Sequence, residues 1–572
     1  MNNINSLYEL WRKNATLDAD LVEELSAIEG NEDEILDRFY KCLEFGTGGL
    51  RGVIGAGTNR MNIYTVGQAT QGLADYLNEA FEEPSVVIGH DSRIKSDVFA
   101  REAAGVLAAN GIKVYFFPML VPTPMVSFAV RRLGCSSGIV ITASHNPSKY
   151  NGYKCYDAKG YQMTDEAAAR TLEYIKQKDI FEDVKRMSFD DALAEDKVDF
   201  IEQWLFNEFY DNVGEQLFDK DICADSGLKL IYSPLNGTGN KPVRTMLSRL
   251  GLEDVRIVKE QEKPDGNFPT CPFPNPEITQ VFECAIKMTE EFPADLLLAT
   301  DPDCDRVGIA VRTNGEYKLM TGNEVGVMLT EYFLSRRKAL GTLPEKPVII
   351  KSFVTTDLIE SVAAKYGAEV CNTLTGFKYI GELITELESK GEADRFVVGM
   401  EESYGYLAGS YARDKDAVFG AAAIVEMAAY YKSIGKNLYE VMEDIYAEHG
   451  MYLNTLINIG FEGASGMEKM KNIMDGFRND PPKTIGGLEV EVVSDYLTSV
   501  TKAVATGEES AITLPKSNVL QYKLPGGSSA IIRPSGTEPK IKIYVTATAA
   551  TREEAQVLTD KISADMKSLM NA

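Results

Sequence analysis

The chain is short of histidine, of paired cysteine and of positive charge, and each shortage removes a class of function. Only three histidines occur, at positions 90, 145 and 449, and none of the eight cysteines belongs to a Cys-x-x-Cys pair. Neither a zinc site nor a disulfide framework is expected, and the thiols should be reduced, as in a cytosolic protein. No segment approaches the ~18 consecutive apolar residues of a membrane span. The first residues, Met1-Asn2-Asn3-Ile4-Asn5, lack the basic and apolar regions of a secretory signal. The expected location is the cytoplasm, with no membrane partner. Lys and Arg number 59 against 85 Asp and Glu, a net charge of −26. Such a surface repels a phosphate backbone, so no nucleic-acid partner is expected. Nucleotide motifs are missing too: there is no P-loop and no kinase signature. The glycines of Gly46-Thr47-Gly48-Gly49-Leu50-Arg51-Gly52 have the wrong spacing for a dinucleotide fingerprint.

What is present is length and repetition. The 572 residues are too many for one core and suggest about three to five domains. Residues 1–44 read as a polar helical preface, with Leu7, Leu10 and Trp11, then Leu21, Leu25 and Ile28, at helical spacing. One pattern then occurs three times: strand, helix, glycine, strand, helix, strand, loop. The first copy has strands at 86–89, 112–117 and 138–142, helices at about 97–110 and 123–133, Ser96 as N-cap and Gly111 as C′ glycine. The second has strands at 229–233, 255–258 and 296–299, helices at about 240–250 and 278–291, and Gly251. The third has strands at 348–352, 369–372 and 396–399, helices at about 356–366 and 378–389, and Gly367. Strands alternating with helices predict parallel sheets covered on both faces, with ligands beyond the carboxyl ends of the strands. The three copies end there in unusual loops, at Ser144, Asp301 and Glu401. After about residue 455 the pattern changes to a smaller α+β domain ending in a helix over 552–570.

The loops carry chemistry by residue type. Asp301-Pro302-Asp303-Cys304-Asp305-Arg306 offers three hard oxygen ligands at alternate positions, suited to Mg²⁺ or Ca²⁺. An EF-hand would need Gly and Glu where Arg306 and Arg312 stand, so that reading fails. Three protein ligands leave room for a substrate or phosphate oxygen. Ser144 lies in Thr142-Ala143-Ser144-His145-Asn146-Pro147, outside any hydrolase elbow. Side chains of adjacent residues such as Ser144 and His145 are expected to point apart in extended chain. Lys154 could supply positive charge or a proton. Arg533-Pro534-Ser535-Gly536-Thr537-Glu538-Pro539-Lys540 presents a guanidinium fork, hydroxyls and open backbone N–H groups, the donors that hold a phosphate dianion. Met400-Glu401-Glu402-Ser403, followed by Arg413-Asp414-Lys415-Asp416, suits hydrogen bonding to sugar hydroxyls.

These four motifs in this order resemble the α-D-phosphohexomutase superfamily, over nearly the whole chain. The long preface, residues 46–52, the Asp loop and Leu374-Thr375-Gly376-Phe377-Lys378 are most similar to its phosphoglucomutase/phosphopentomutase branch. The resemblance implies three repeated mixed α/β domains plus a C-terminal α+β phosphate-binding domain around a central cleft. Its boundaries would be 1–205 for the preface and phosphoserine domain, 206–318 for the metal domain, 319–454 for the sugar domain and 455–572 for the phosphate domain. It implies that Ser144 is the phosphoserine and that Asp301, Asp303 and Asp305 hold Mg²⁺ against it. Arg51, Lys154 and His145 would serve acid–base and electrostatic roles. Arg306, Thr375, Gly376, Glu401 and Ser403 would contact the sugar. Lys415, Arg533, Ser535, Gly536 and Thr537 would bind the non-reacting phosphate. The implied reaction interconverts glucose 1-phosphate and glucose 6-phosphate through glucose 1,6-bisphosphate, in a monomer or homodimer. Pentose or mannose phosphates are the alternative substrates, and a non-catalytic sugar-phosphate sensor or a Mg²⁺-dependent phosphatase the alternative classes. Some relatives carry a histidine shortly after the Glu-x-Ser motif; here Tyr404-Gly405-Tyr406 stands there. Lys154 is then the first candidate for the base that receives the Ser144 proton.

Overall fold

Residues 1–44 fold into three helices, Asn2–Asn14, Ala19–Ala27 and Glu32–Phe39, whose entries are fixed by Asp18 and Asn31 as N-caps. Leu21, Leu25 and Ile28 are buried as their spacing predicts. In the first helix the buried face runs through Tyr8 and Trp11, with Ala15 buried just past its end, while Leu10 is exposed. Trp11 wins that face by its contacts: its ring meets Phe39, Tyr64 and Phe181 edge-on at 5.8, 5.7 and 5.4 Å. Glu24 accepts from the Ala56 N–H at 2.7 Å and pairs with Arg38 at 2.6 Å. The preface therefore holds the loop that follows the Arg51 strand. Trp11→Ala is expected to lower stability by about 3–5 kcal/mol, read as a reduced urea midpoint at unchanged slope.

The structure, a computed structural model, describes all residues except Met1, Thr47, Lys220, 462–465, 536–539 and Ala572. The chain forms two compact units, Met1–Gly322 with Phe377–Leu438, and Asn323–Gly376 with Tyr439–Ala572.

In the first unit a six-stranded sheet has strands β1 (Gly49–Val53), β2 (Ser85–His90), β3 (Lys113–Phe116), β4 (Ser137–Ile141), β5 (Tyr150–Asp157) and β6 (Val198–Phe200), in the order β1-β5-β4-β2-β3-β6. Pairs β2–β3, β2–β4 and β3–β6 are parallel, as expected. The pairs β4–β5 and β1–β5 are antiparallel, which alternation alone did not predict. A second sheet, of β7 (Leu230–Ser233), β8 (Val255–Ile257), β9 (Leu296–Thr300), β10 (Val307–Thr313) and β11 (Glu316–Met320), repeats the design in the order β11-β10-β9-β7-β8. Strand β7 is parallel to β8 and β9, and β10 returns antiparallel to β9.

The cause lies in the loops. Each functional loop is too short for a helical crossover, so the chain doubles back beside the strand it has just left. The third copy does the same: β14 (Phe396–Glu401) pairs antiparallel with β15 (Gly405–Leu407) after β12 (Val348–Ser352) and β13 (Glu369–Thr373), themselves parallel. Strands β4, β9 and β14 are buried along their whole length, as strands covered on both faces should be.

The glycines at 111, 251 and 367 all have positive φ, consistent with C′ positions. Ser96 is not the N-cap of its helix, Ser96–Ala109; Lys95, at φ 64°, precedes it, and the Ser96 hydroxyl donates to Asp91 at 2.7 Å. The buried carboxylate outcompetes the helix end for that hydroxyl. The helix expected at 278–291 is a turn at Thr279–Phe282 and a short helix, Glu283–Met288. In the second unit the C-terminal part is α+β, as expected. Its seven-stranded sheet is antiparallel, with Met451–Gly460 paired to Lys540–Ala549, and the helix Arg552–Asn571 packs Ile562 and Met566 into its core. No single helix among the described residues is long and apolar enough to cross a membrane.

Candidate active site

Ser144 follows β4 by three residues and adopts φ 52°, in the left-handed region. That conformation costs a non-glycine residue about 1–2 kcal/mol and must be held. The Ser144 N–H donates to Thr142 Oγ1 at 2.8 Å, and its carbonyl accepts from Arg93. The bend overturns the expectation that Ser144 and His145 point apart, since the segment is not extended. Ser144 Oγ lies 3.1 Å from His145 Nδ1 and donates to Asp301 Oδ2 at 3.0 Å. A different run, Gly134-Cys135-Ser136-Ser137-Gly138, spells a hydrolase elbow by letter. It leads from a helix into β4, the reverse of an elbow's strand-to-helix turn.

Asp301, Asp303 and Asp305 occupy the tight turn between β9 and β10. Cys304, at φ 52°, folds the turn so that one oxygen from each carboxylate lies within 4.8 Å of the others. Gly237 backs the turn: a Cβ there would sit 2.4 Å from the Pro302 Cα, and the Thr238 N–H donates to the Pro302 carbonyl at 2.8 Å. All three carboxylates are buried.

Their oxygens are divided among partners. Asp301 Oδ1 accepts from the N–H groups of Asp305 and Arg306 at 3.1 and 3.0 Å. Asp303 Oδ2 accepts from Thr123 Oγ1 and Lys154 Nζ, both at 2.8 Å. Asp305 Oδ2 pairs with Lys154 at 3.2 Å and Lys415 at 2.9 Å. Asp303 Oδ1 and Asp305 Oδ1 are buried and accept no hydrogen bond among the described residues. Buried orphan carboxylate oxygens are costly unless a cation takes them. The donor set is all hard oxygen, so the three carboxylates can hold a metal ion.

Electrostatics splits the trio. Burial, then the charges of Asp303 and Asp305, push the Asp301 carboxyl well above the carboxylate range. Burial also works against ionised Asp303 and Asp305, but the adjacent lysines prevail and hold both below the ordinary value. Conversely, burial disfavours charged Lys154 and Lys415, yet the carboxylates beside them raise both. His145 is driven well below its usual value by burial and by the charges of Arg306 and Arg51, so it is neutral near pH 7.

With its Asp301 carboxyl raised, the metal-free protein binds more protons than its unfolded chain above the ordinary carboxylate range. Its stability therefore falls as the pH rises from the ordinary carboxylate range toward the raised value. A bound metal ion requires the ionised form, so binding should release a proton wherever Asp301 carries one beforehand. Calorimetric titration of the metal-free protein in two buffers of different ionisation enthalpy reads that proton directly.

The first unit thus brings together Ser144, His145, Lys154, the Asp trio and Lys415. Arg306 pairs with Glu277 at 2.9 Å and stands 3.7 Å from Asp305 Oδ1. Glu401, buried at the end of β14, acts electrostatically on Arg306 and Lys415. Ser403 is half-buried in the β14–β15 turn, whose Tyr404 has φ 68°. Arg51, on β1 opposite Gly152, is exposed. In the second unit, Thr375 and Gly376 follow β13, with Gly376 at φ 120°. Arg533 lies opposite Lys542 in the strand Ser529–Pro534, and the Ser535 N–H donates to the Lys540 carbonyl at 2.7 Å. Gly536 and Thr537 lie outside the described residues.

Residue patterns missed Thr123, Glu277 and the pair Asp91–Arg93, and they place Asp414 only within the run 413–416. The Asp414 carboxylate accepts from the Tyr156 hydroxyl at 2.6 Å and lies 3.5 Å from Lys415. Position alone could have found Asp91 and Arg93, which follow the carboxyl end of β2.

Comparison with known proteins identifies the family. Residues 43–181, 207–315 and 321–449 match the phosphoglucomutase/phosphomannomutase alpha/beta/alpha domains I, II and III. The phosphoglucomutases of Staphylococcus saprophyticus and Staphylococcus aureus (strain MRSA252) are each 36% identical to the chain, over 94% of it and 95% of the relative. Among solved structures, the open form of pp63/parafusin, a Paramecium phosphoglucomutase, gives a TM-score of 0.67 at 17% identity, over 93% of this chain and 96% of that one. A phosphoglucomutase/phosphomannomutase family protein from Burkholderia thailandensis gives 0.65 at 18%, over 92% and 97%. At those identities the two structures speak for the fold.

Proposed function

The chain belongs to the phosphoglucomutase/phosphomannomutase family, and we propose that it moves a phosphoryl group between C1 and C6 of glucose by way of phospho-Ser144. The reaction is the phosphoglucomutase reaction, and the enzyme is a mutase. One observation carries the role of Ser144: its hydroxyl is bent 3.0 Å from Asp301, at the edge of a carboxylate trio with two buried oxygens that accept no hydrogen bond among the described residues. The three matched segments fall within the proposed divisions 1–205, 206–318 and 319–454, and residues 455–572 form the fourth in this reading.

The phosphoryl group of phospho-Ser144 passes to the free hydroxyl of the bound sugar phosphate; the P–Oγ bond breaks as the new P–O bond forms. The glucose 1,6-bisphosphate so made turns over, and its other phosphate returns to Ser144 Oγ. The residues fit Mg²⁺, which Asp301, Asp303 and Asp305 would hold and which, when bound, neutralises charge on the phosphoryl oxygens. Lys154, Lys415 and Arg306 add fixed positive charge beside those oxygens, where positioning and electrostatics supply most of the catalysis.

On the return step the Ser144 proton needs an acceptor. Lys154 does not fit that role, because its carboxylate partners keep it protonated; it serves as donor and charge. Neutral His145 fits, with Nδ1 at 3.1 Å. Arg51 stands on the strand beside Lys154 as a further cation. Glu401 and Ser403, with Thr375 and Gly376, are the sugar contacts in this reading, and Arg533, Ser535, Gly536 and Thr537 the phosphate contacts. The substrate is a free phosphosugar, met in the cytoplasm by a monomer or homodimer; the net charge of −26 supports the absence of a nucleic-acid partner.

Purified enzyme should convert glucose 1-phosphate faster than mannose 1-phosphate or ribose 1-phosphate, with activation by catalytic glucose 1,6-bisphosphate and little release of inorganic phosphate. A pentose rate far above the hexose rate, or steady phosphate release, would contradict this.

A further inference from the structure

Arg93 is a buried cation that nothing above has assigned. It follows β2 in Asp91-Ser92-Arg93, and its side chain is sealed from solvent. Its two terminal nitrogens donate to fixed carbonyl acceptors, while Nε makes only an ion-pair contact. Nη2 donates to the carbonyls of Ser144 and Asn146, and Nη1 to those of Pro147 and Tyr150 at 3.0 and 3.1 Å. Nε stands 3.3 Å from Asp91 Oδ2. Phe268 covers the guanidinium, 5.0 Å from ring centre to Cζ, and Gly266 presses so close that a Cβ would lie 2.9 Å from the Arg93 carbonyl carbon. Four carbonyls of one seven-residue loop thus converge on a single planar fork.

The same ion pair reaches Ser144 from its other side. Thr142, whose side chain interacts with that of Asp91, accepts from the Ser144 N–H at Oγ1, 2.8 Å away. Both polar groups of the Ser144 backbone are therefore held by side chains, the carbonyl by Arg93 and the N–H by Thr142. These ties oppose relaxation of Ser144 from φ 52° to extended chain, where its hydroxyl would lose Asp301 and His145.

We propose that Arg93 is a positioning residue for phosphoryl transfer, holding the nucleophile in its reactive bend by binding the carbonyls of its loop. The proposal rests on the reading of Ser144 as phosphoryl carrier. It explains why the position holds arginine: a lysine ammonium keeps the charge but has no fork to span four carbonyls. Since displacing a reacting atom by about 1 Å can cost about 10²-fold, the loss should fall on kcat and spare binding.

The test uses the full-length, Mg²⁺-loaded enzyme. Arg93→Lys should lower kcat about 10²-fold with the KM for glucose 1-phosphate within about threefold of the parent. The ³¹P resonance of phospho-Ser144 should move or broaden. A role limited to charge or to packing predicts that this charge-conserving variant, if folded, keeps the parental kcat and resonance. Thr142→Val removes the acceptor of the Ser144 N–H together with the Thr142 hydroxyl's interaction with Asp91, and should lower kcat in the same way; it decides the matter if Arg93→Lys does not fold. Parental kcat and ³¹P resonance in folded Arg93→Lys, or in Thr142→Val where Arg93→Lys does not fold, would overturn the proposal. Intact mass of the parent separates the two levels. A parent phosphorylated on Ser144 with unaffected variants refutes Arg93 alone, whereas a parent never phosphorylated there refutes the reading beneath it.

Discussion

Replacing Ser144 by Ala is expected to reduce interconversion of glucose 1-phosphate and glucose 6-phosphate about 10⁴-fold or more, while sugar-phosphate binding stays within about threefold. The magnitude follows from the role. A covalent carrier splits one difficult transfer into two easier ones, and its removal leaves no phosphoryl donor for the first half-reaction and no acceptor for the second. Binding should survive because the side chain is small and, among the described residues, its hydroxyl hydrogen-bonds only Asp301 and His145. The alanine also keeps the backbone ties of position 144, which use N–H and carbonyl alone. Steady-state rates, with glucose 1-phosphate affinity measured calorimetrically, check both halves. Turnover within tenfold of the parent would place the phosphoryl carrier elsewhere.

The second large effect separates two aspartates that look equivalent in sequence. Asp301→Asn and Asp303→Asn should each lower Mg²⁺-dependent turnover about 10³-fold, since each takes a ligand from the ion that offsets phosphoryl charge. Their effects on the metal-free protein should have opposite signs. The surroundings of Asp301 disfavour its charge, through burial and two carboxylate neighbours. A neutral amide there removes a cost that the folded state bears at neutral pH, so the metal-free thermal midpoint should rise. Burial and Asp305 disfavour ionised Asp303 too, but Lys154 at 2.8 Å outweighs them. Asp303→Asn deprives Lys154 of that partner and should lower the midpoint. The loss should fall toward the lower end of the about 3–5 kcal/mol that breaking a buried ion pair costs, because Asp305 still holds the lysine. Differential scanning calorimetry with and without Mg²⁺ distinguishes the variants; midpoints moving together without metal would contradict the partition of charge described here.

How far the sequence announced this site depends on the kind of information each part needed. Strand ends were legible because hydrophobic runs bounded by glycine mark them, and Ser144, Asp301 and Glu401 do lie where β4, β9 and β14 finish. The antiparallel returns of β5, β10 and β15 were not legible, since alternation of strands and helices says nothing about a loop too short for a crossover. The bend at Ser144 escaped for a related reason. Periodicity assumes regular backbone, and φ 52° is imposed by Arg93 and Thr142 from outside the segment. Lys154 was recognised as a functional cation, but its proton could be assigned only once Asp303 and Asp305 were seen at 2.8 and 3.2 Å. Leu10 shows the same limit on a smaller scale: spacing placed it inside, and the bulk of Tyr8 and Trp11 turned the helix otherwise.

The most direct test of the central claim is the intact mass of the purified protein before and after incubation with glucose 1,6-bisphosphate, with the modified peptide sequenced. The expected result is one phosphoryl group per chain, on Ser144, which unlabelled glucose 1-phosphate then chases into glucose 6-phosphate. A chain that carries no phosphate on Ser144 in either sample, yet converts glucose 1-phosphate at full rate, would contradict the account.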